Sequence, residues 1–271
     1  MPKRQKCLKR GLKGIHSELV NQYRDILPNF IIIGAAKSAT TSLAVALRKH
    51  PDVYISRPKE PKFFGRNYKK GWTWYASCFE KGRGLPLRGE ASTMYSSKMK
   101  NFIYTPELMH RYLPNLKLIY IVRDPLDRIV SQWRHYKGRH PNCGDFKELI
   151  RDQHLKKLIL GSSMYFEILS KFQKYYPKEQ IYCITFEDLL SKPRQSLENI
   201  CQFLEVDPQV EQILDQNGRL PQVNEAGANG RGHVEKPKWG DKLKSKVLRR
   251  IKPDAEQMLA YMGKPLHHWN L

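Results

Sequence analysis

The sequence predicts an α/β fold: a single domain in which helices cover both faces of a central parallel β-sheet. Short apolar runs of strand length, such as residues 29–33 and 117–122, alternate with helical patterns along the chain. The 271 residues suffice for one sizeable core, and no Gly/Ser- or Pro-rich linker divides them. Two candidate motifs, each a strand followed by a turn and a helix start, fall where parallel sheets bind ligands.

The strands and helices can be placed one by one. Strands are expected at 29–33, 53–56, 87–90, 117–122 and 181–185. One helix covers residues 40–49, and the next begins with Thr105 as its N-cap and Pro106 as its first residue. A third helix starts at Asp124-Pro125 and runs through Trp133, and longer helices are expected at 146–160 and 164–175.

The first 28 residues are expected to form a basic arm and a short helix at 17–23, with the domain spanning 29–271. No apolar stretch follows the basic N-terminus, so a secretory signal is not expected. The apolar runs are also far shorter than the roughly 20 residues that a membrane-spanning helix needs.

Charge and cysteine content limit the partners and the compartment. The net charge of +22 attracts polyanions, whether nucleic acid, anionic lipid, acidic glycan or phosphorylated cofactor, without choosing among them. The cysteines form no CxxC pair, which favours a reducing compartment over a disulfide framework or a zinc site; they are Cys7, Cys78, Cys143, Cys183 and Cys201.

The segment 30–42 predicts a cradle for an anion. It consists of a strand, the turn residue Gly34 and a helix start that carries one cation, Lys37, with four hydroxyl groups at Ser38, Thr40, Thr41 and Ser42. Helix capping alone would need only one hydroxyl group. The segment does not match the GxxxxGK[ST] loop of NTPases, and the strand before Arg123 lacks the terminal Asp that would help hold Mg²⁺. A second phosphate and no metal are therefore expected near Arg123.

At this point the chain resembles the sulfotransferases that depend on 3′-phosphoadenosine 5′-phosphosulfate (PAPS). The run GAAKSATTSL at 34–43 is similar to the family's 5′-phosphosulfate loop, and LIYIVRDPLDRIVS at 118–131 is similar to its 3′-phosphate motif. The resemblance implies a P-loop NTPase-like sulfotransferase fold and PAPS as the donor, without a metal. It also implies nucleotide contacts at Gly34, Ala35, Ala36, Lys37, Ser38, Ala39, Thr40, Thr41, Ser42, Arg123 and Ser131.

The spacing inside the second motif suits a phosphate. Ser131 lies eight residues after Arg123, so the two side chains can converge on one doubly charged group. The alternative for Arg123 is a surface ion pair with Asp124 or Asp127.

The candidate general base comes from a third segment. Residues 56–64 resemble the Glu-x-x-Phe-Phe segment of the heparan-sulfate-type and bacterial branch, which implies that Glu60 is the base. Neighbouring Lys59 and Lys62 would lower its pKa unless burial opposes them, and Glu60 as their structural partner is the alternative. Glu90 is a further candidate, either as the base or as a residue that orders its loop.

Other candidates rest on weaker signals. His110 and His135 stay open as bases because a His base occurs in the cytosolic small-molecule branch. Some glycan-modifying members carry a Lys directly after the second Glu, where this chain has Ala91. Arg231, in the Gly-rich basic loop 224–233, is a candidate contact to the 3′-phosphate, or part of a mobile surface loop. Trp133 is expected near the adenine or the acceptor, or in the core.

The resulting hypothesis is transfer of a sulfuryl group from PAPS to a hydroxyl or amine of a glycan or small-metabolite acceptor. Glu60 takes the acceptor proton, and Lys37 with the loop amides stabilises the charge on the transferring group. The alternatives are an ATP-dependent kinase of the nucleoside-kinase type, and a basic nucleic-acid-binding protein, for which no recognition motif is present. A cytoplasmic enzyme is expected, with a luminal Golgi domain as the alternative.

Overall fold

The computed structural model describes residues 3–11, 16–221, 223 and 234–271. Five parallel strands form one sheet in the order β2-β3-β1-β4-β5. They are Phe30–Gly34 (β1), Val53–Ile55 (β2), Leu87–Glu90 (β3), Lys117–Val122 (β4) and Ile181–Thr185 (β5). The predicted fold class is confirmed, and β3, β4 and β5 have the bounds expected from the sequence.

Helices pack on both faces of the sheet. They are Lys3–Gly11 (α1), Ser17–Gln22 (α2), Thr40–Leu47 (α3), Gly71–Ser77 (α4), Thr105–Tyr112 (α5), Pro125–Lys137 (α6), Gln153–Leu155 (α7), Tyr165–Gln173 (α8), Phe186–Ser191 (α9), Pro193–Leu204 (α10), Val210–Ile213 (α11) and Asp241–Tyr261 (α12). Helix α1 lies in the segment expected to be a basic arm, and its Leu8 is buried in the core.

The central strand β1 shows why the sheet is buried on both faces. Ile31 and Ile33 pack in one apolar cluster with residues of α5, α8 and α12, whereas Phe30 and Ile32 pack in another with residues of α3 and α10. Side chains alternate across a strand, so a strand covered on both faces is apolar at every position. The apolar runs in the sequence therefore identify the middle of the sheet.

Two local predictions are wrong. Residues 146–160 form no single helix: a 3₁₀ turn, Phe146–Ile150, is followed by α7 and by a wide π turn, Lys156–Leu160. The break comes at Asp152, whose carboxylate accepts a hydrogen bond from the Leu155 backbone N–H at 2.7 Å and so starts a new helix. Thr105 is not an N-cap, because its hydroxyl donates to the Phe64 carbonyl at 2.7 Å.

The sheet topology brings three chain segments to one edge. Because β1 pairs with β3 on one side and β4 on the other, the residues that follow these three strands meet beyond their carboxyl ends. These residues include the loop 35–39 and Arg123. Within the ranges given above, no helix is long and apolar enough to cross a membrane.

Candidate active site

The loop 35–39, called the anion loop below, connects β1 to α3 through unusual backbone conformations. Lys37 and Ala39 adopt left-handed φ values of 74° and 59°. Gly34 has φ 154°, and a Cβ there would collide with the hydroxyl of Ser96. A turn that alternates in this way makes a concave backbone surface of the kind that binds anions. Gly34 is required because no side chain fits between the loop and Ser96.

Two buried polar atoms beside this loop have no hydrogen-bond partner among the residues that the structure describes. One is the hydroxyl of Ser38, whose side chain is fully buried, and the other is Nε of Arg123. Buried polar groups in folded proteins are nearly always hydrogen-bonded, so each such exception calls for a ligand or another explanation. A hydroxyl and a guanidinium N–H are both donors, which suits a phosphate or sulfate group.

Arg123 is held against the loop from several sides. Its Nη1 donates to the Lys37 carbonyl at 3.3 Å, and its guanidinium lies 4.3 Å from the ring centroid of Phe186. The carboxylate of Asp127 is 3.7 Å from Nη2, but Asp127 is exposed, so this ion pair contributes little. The geometry therefore brings Arg123 to the loop 35–39, at the edge of the sheet where the sequence placed both motifs. Ser131 lies two turns into α6 and is partly exposed.

The turn before α6 is fixed by groups that the sequence analysis missed. Glu187 accepts a hydrogen bond from the Asp124 N–H at 2.9 Å and another from Trp269 Nε1 at 3.2 Å. Asp124 in turn caps α6 by accepting from the Leu126 N–H at 2.8 Å. Phe186 and Glu187 directly follow β5, so their position at a strand end was the available signal.

Glu60 lies between two ammonium groups. Lys62 Nζ is 2.9 Å from its Oε2, Lys59 Nζ is 3.3 Å from its Oε1, and the Thr93 hydroxyl donates to Oε1 at 3.2 Å. Lys59 also donates to the hydroxyl of Thr41 at 3.1 Å, which connects the carboxylate to the first turn of α3. The Glu60 side chain is 24% exposed, so an acceptor hydroxyl can approach it from solvent.

The electrostatic environment keeps Glu60 ionised. Burial raises the pKa of Glu60, but the charges of Lys59 and Lys62 and their hydrogen bonds outweigh it, so that its pKa lies below the ordinary value. The two roles considered for Glu60, general base and structural partner of the lysines, are therefore compatible. Glu60 pairs with both lysines, and it also reaches the same edge of the sheet as the anion loop.

Glu90, at the end of β3, is in a different environment. It is fully buried and accepts hydrogen bonds from three hydroxyl groups: Tyr75 at 2.6 Å, Tyr95 at 3.1 Å, and Ser92. Burial raises the pKa of Glu90 to about 7, against the opposing effect of those hydrogen bonds. With no exposed surface, this carboxylate has no access to an acceptor.

Two of these hydroxyl groups also hold the segment that contains Glu60. The Ser92 hydroxyl accepts from the Lys62 N–H at 2.9 Å, and the Tyr95 hydroxyl accepts from the Phe64 N–H at 3.2 Å. Glu90 thus orders the backbone directly after Glu60 through two intervening hydroxyls. This geometry favours the ordering role for Glu90 over the role of base.

The two histidine candidates lie on helices α5 and α6. His110 packs edge-on against Tyr176 at 5.3 Å between ring centroids, and His135 lies farther along α6 than Ser131. Arg231 and its whole loop, 224–233, lie outside the described residues. In the part of the chain that the structure describes, no group of three or more His, Cys, Asp or Glu side chains could hold a metal ion.

A groove of 670 Å³ opens beside the C-terminal half of α6. Trp133 forms one wall and is nearly buried, since its ring also packs edge-on against Phe146 at 5.4 Å. Both roles considered for Trp133 are compatible with this position. The rest of the lining combines lysines, prolines, one glutamate and two small or apolar residues, namely Lys137, Gly138, Pro141, Val234, Glu235, Lys236, Pro237 and Lys238.

Comparison with known proteins adds the family. The model of the sulfotransferase domain matches residues 27–227. The mouse bifunctional heparan sulfate N-deacetylase/N-sulfotransferase 4 is 26% identical over 90% of this chain and 31% of its own length. Mouse heparan sulfate glucosamine 3-O-sulfotransferase 3B1 is 27% identical over 83% of this chain and 60% of its own length. The chain thus spans less than two thirds of these curated relatives.

The solved structures agree on the fold. A sulfotransferase from Alicyclobacillus acidocaldarius superposes with a TM-score of 0.68 at 23% identity, and the match covers 90% of this chain and 99% of that chain. The sulfotransferase domain from the curacin biosynthetic pathway superposes with a TM-score of 0.51 at 14% identity. At these identities the likeness concerns the arrangement of strands and helices.

Proposed function

Because the chain belongs to the sulfotransferase domain family, we propose that it transfers a sulfuryl group from PAPS to a hydroxyl or amine of a carbohydrate. The observation that carries the donor assignment is the pair of buried, unpartnered donors, Ser38 Oγ and Arg123 Nε, beside a loop with left-handed turns. Ser38 and Arg123 follow the paired strands β1 and β4, and Lys59 connects Glu60 to Thr41 at the start of α3.

On the donor side, the chain contributes positioning and positive charge. PAPS supplies the sulfuryl group and leaves as 3′-phosphoadenosine 5′-phosphate (PAP). The residues 34–42 bind its 5′ end, and Lys37 with the loop N–H groups stabilises the negative charge that develops on the leaving oxygen. Arg123 and Ser131 hold the 3′-phosphate, and Phe186 fixes the plane of the Arg123 guanidinium.

On the acceptor side, Glu60 is the general base. As the new S–O bond forms, the carboxylate takes the proton of the acceptor hydroxyl, and the S–O bond to PAP breaks with its electron pair. The lysines keep Glu60 ionised in the resting enzyme, and Lys59 holds it at a fixed position relative to the Thr41 end of the loop. The base is thus hydrogen-bonded, through Lys59, to the helix start that directly follows the anion loop.

The acceptor class is supported by the relatives and by the groove beside α6. Both of the mouse relatives described above act, by their names, on heparan sulfate. The groove combines an aromatic ring at Trp133 with prolines, three lysines and one glutamate, Glu235. Its charge is therefore positive on balance, which suits a sugar that carries acidic groups. We propose a carbohydrate acceptor on these two grounds.

A reducing compartment such as the cytoplasm is proposed as the place of action. All five cysteines are free thiols. Disulfides are rare in reducing compartments and common in secreted and luminal domains. Detection of a disulfide by mass spectrometry of the natural protein would contradict this assignment.

The decisive experiment is calorimetric titration with PAP, AMP and ATP·Mg²⁺. The wild type is expected to bind PAP, and to bind AMP at least about tenfold more weakly, because the 3′-phosphate loses its charged partners. Arg123→Ala should abolish this preference. The control Arg151→Ala removes an exposed arginine in a surface ion pair and should leave it unchanged. Tighter binding of ATP·Mg²⁺ than of PAP would favour the kinase alternative.

A second measurement tests transfer itself. PAPS is incubated with a panel of glycans that begins with heparan sulfate, and sulfated product and PAP are quantified. Equal formation of both products, dependent on Glu60, supports the proposal. Release of PAP without any sulfated glycan would contradict the proposal that the acceptor is a carbohydrate.

A further inference from the structure

Arg128 on α6 is the only fully buried arginine among the residues that the structure describes. Its Nε donates to the Ser163 hydroxyl at 2.8 Å, its Nη1 donates to the Ala36 carbonyl at 3.3 Å, and its Nη2 donates to the Ile159 carbonyl. All three acceptors are neutral. No ion pair to Arg128 is present in residues 3–11, 16–221, 223 and 234–271.

A buried guanidinium without a counter-ion is costly. Removal of a charge from water costs several kcal/mol unless an opposite charge compensates it, and an arginine cannot escape by losing its proton. Burial lowers the pKa of Arg128 against the opposing effect of the buried hydroxyls of Tyr165 and Tyr120, and the positive charge of Arg123 lowers it further. Two arginine charges therefore act on one region behind the anion loop, and only Arg123 has a carboxylate nearby.

The contact with Ala36 also sets the orientation of the loop. In a trans peptide the C=O and the following N–H point in opposite directions, so the hydrogen bond to the Ala36 carbonyl turns the Lys37 N–H away from Arg128. Arg123 holds the next carbonyl, that of Lys37. Arg128 thereby connects the loop to α6, the helix that carries Ser131, and to the segment 159–163.

We propose that Arg128 is a positioning residue for the nucleotide, whose phosphates balance its buried charge while its hydrogen bonds hold the anion loop in register with α6. This inference rests on the proposed function, since it needs an anionic nucleotide in the loop. It extends that function, because Arg128 makes nucleotide binding and the stability of the domain interdependent without touching the reacting atoms.

The test compares the thermal stabilisation by PAP in the wild type, Arg128→Met and Arg128→Lys. Arg128→Met removes the charge and the forked donor, so the affinity for PAP should fall about tenfold or more and the rise of Tm with PAP should shrink. Arg128→Lys retains the charge but not the fork and should lie between the two. The KM for PAPS should rise, whereas the KM for the acceptor should stay within about twofold.

Arg88→Met is the matched control. Like Arg128, Arg88 donates to two backbone carbonyls, those of Leu27 and Leu85, but it lies at the opposite end of the sheet. Arg88→Met should lower the Tm of the free protein without changing the rise of Tm that PAP produces. If Arg128→Met behaves as this control does, Arg128 is merely structural and the inference is overturned.

A milder pair of variants serves if Arg128→Met does not fold. Ser163→Ala removes the acceptor of Arg128 Nε and leaves the loop itself untouched. Because one hydrogen bond is lost, the affinity for PAP should fall about 3-fold. Ser196→Ala removes a buried hydroxyl that donates to the Asp188 carbonyl and should have no such effect. Unchanged PAP affinity in Ser163→Ala would contradict the inference, whereas no PAP binding by the wild type would instead contradict the proposed function.

Discussion

Glu60 follows β2 and Glu90 ends the neighbouring strand β3, yet ammonium groups surround the first carboxylate and hydroxyl groups surround the second. Glu60 comes five residues after β2 and keeps a quarter of its surface in solvent, whereas Glu90 is the last residue of β3 and is fully buried. The pKa of Glu60 lies below its ordinary value, and burial raises the pKa of Glu90 to about 7.

The difference shows how one sheet edge supports two roles. A carboxylate with nearby cations and an open side stays ionised and can receive a proton from a substrate. A carboxylate enclosed by Tyr75, Ser92 and Tyr95 cannot meet a substrate, but it fixes the hydroxyls that hold the Lys62 and Phe64 amides. Glu90 thus positions the segment that carries Glu60. A variant of Glu60 should therefore lose catalysis, whereas a variant of Glu90 should mainly lose stability, and the opposite pattern would contradict this assignment.

The largest expected effect is the loss of turnover in Glu60→Gln. The amide has the shape of the carboxylate but cannot accept the acceptor proton, so kcat should fall about 100- to 10,000-fold. PAP affinity should stay within about threefold, because Glu60 does not bind the nucleotide. The measurement is steady-state sulfuryl transfer, together with calorimetric titration of PAP.

Glu90→Gln and Glu179→Gln are the comparisons for that result. Glu90→Gln should retain kcat within about tenfold, since its effect is indirect, and the exposed Glu179→Gln should match the wild type. A severe loss in Glu90→Gln with little loss in Glu60→Gln would reverse the assignment of the base.

The next effect concerns stability. Glu90→Ala deprives three buried hydroxyl donors of their acceptor, so the free energy of unfolding should fall by about 3 kcal/mol. Urea denaturation measures it, with the exposed Glu179→Ala as the control. An unchanged midpoint would show that the hydroxyls find other partners and that Glu90 does not order the edge.

The parts of this site that follow from local sequence were predictable. A strand buried on both faces must be apolar throughout, so β1 and β4 were visible as uninterrupted runs. The loop 34–42 and Arg123 directly follow those strands, and the carboxyl ends of adjacent parallel strands meet. The sequence therefore placed each motif at a strand end, and the structure adds that β1 and β4 are neighbours.

The contrast between Glu60 and Glu90 was not predictable in the same way. It depends on Tyr75, which comes from α4 and is 15 residues away from Glu90 in the chain. No periodicity indicates where such a hydroxyl will point. The predicted helix 146–160 failed for a related reason, because the side chain of Asp152 competes locally with the helical pattern.

The pH dependence of stability sharpens the comparison further. Because the folded pKa of Glu90, about 7, lies above the ordinary value of 4.5, this group stabilises the fold below pH 4.5 and loses that contribution as the pH rises through about 7. The stability of the wild type relative to Glu90→Gln should therefore fall by about 2 kcal/mol between about pH 5 and about pH 8. A relative stability that rises over this range would show that the hydroxyl donors, rather than burial, control Glu90.

The smallest expected effect tests the other carboxylate. Lys62→Met removes the nearer ammonium group, 2.9 Å from Glu60, so the pKa of Glu60 should rise. The acidic limb of the pH profile of kcat/KM should then move to higher pH, while kcat on the plateau changes little. Lys69→Met, an exposed lysine seven residues further along, should leave the profile in place. If Lys62→Met leaves the limb where it is, a group other than Glu60 titrates there, and the base must be sought elsewhere at this edge.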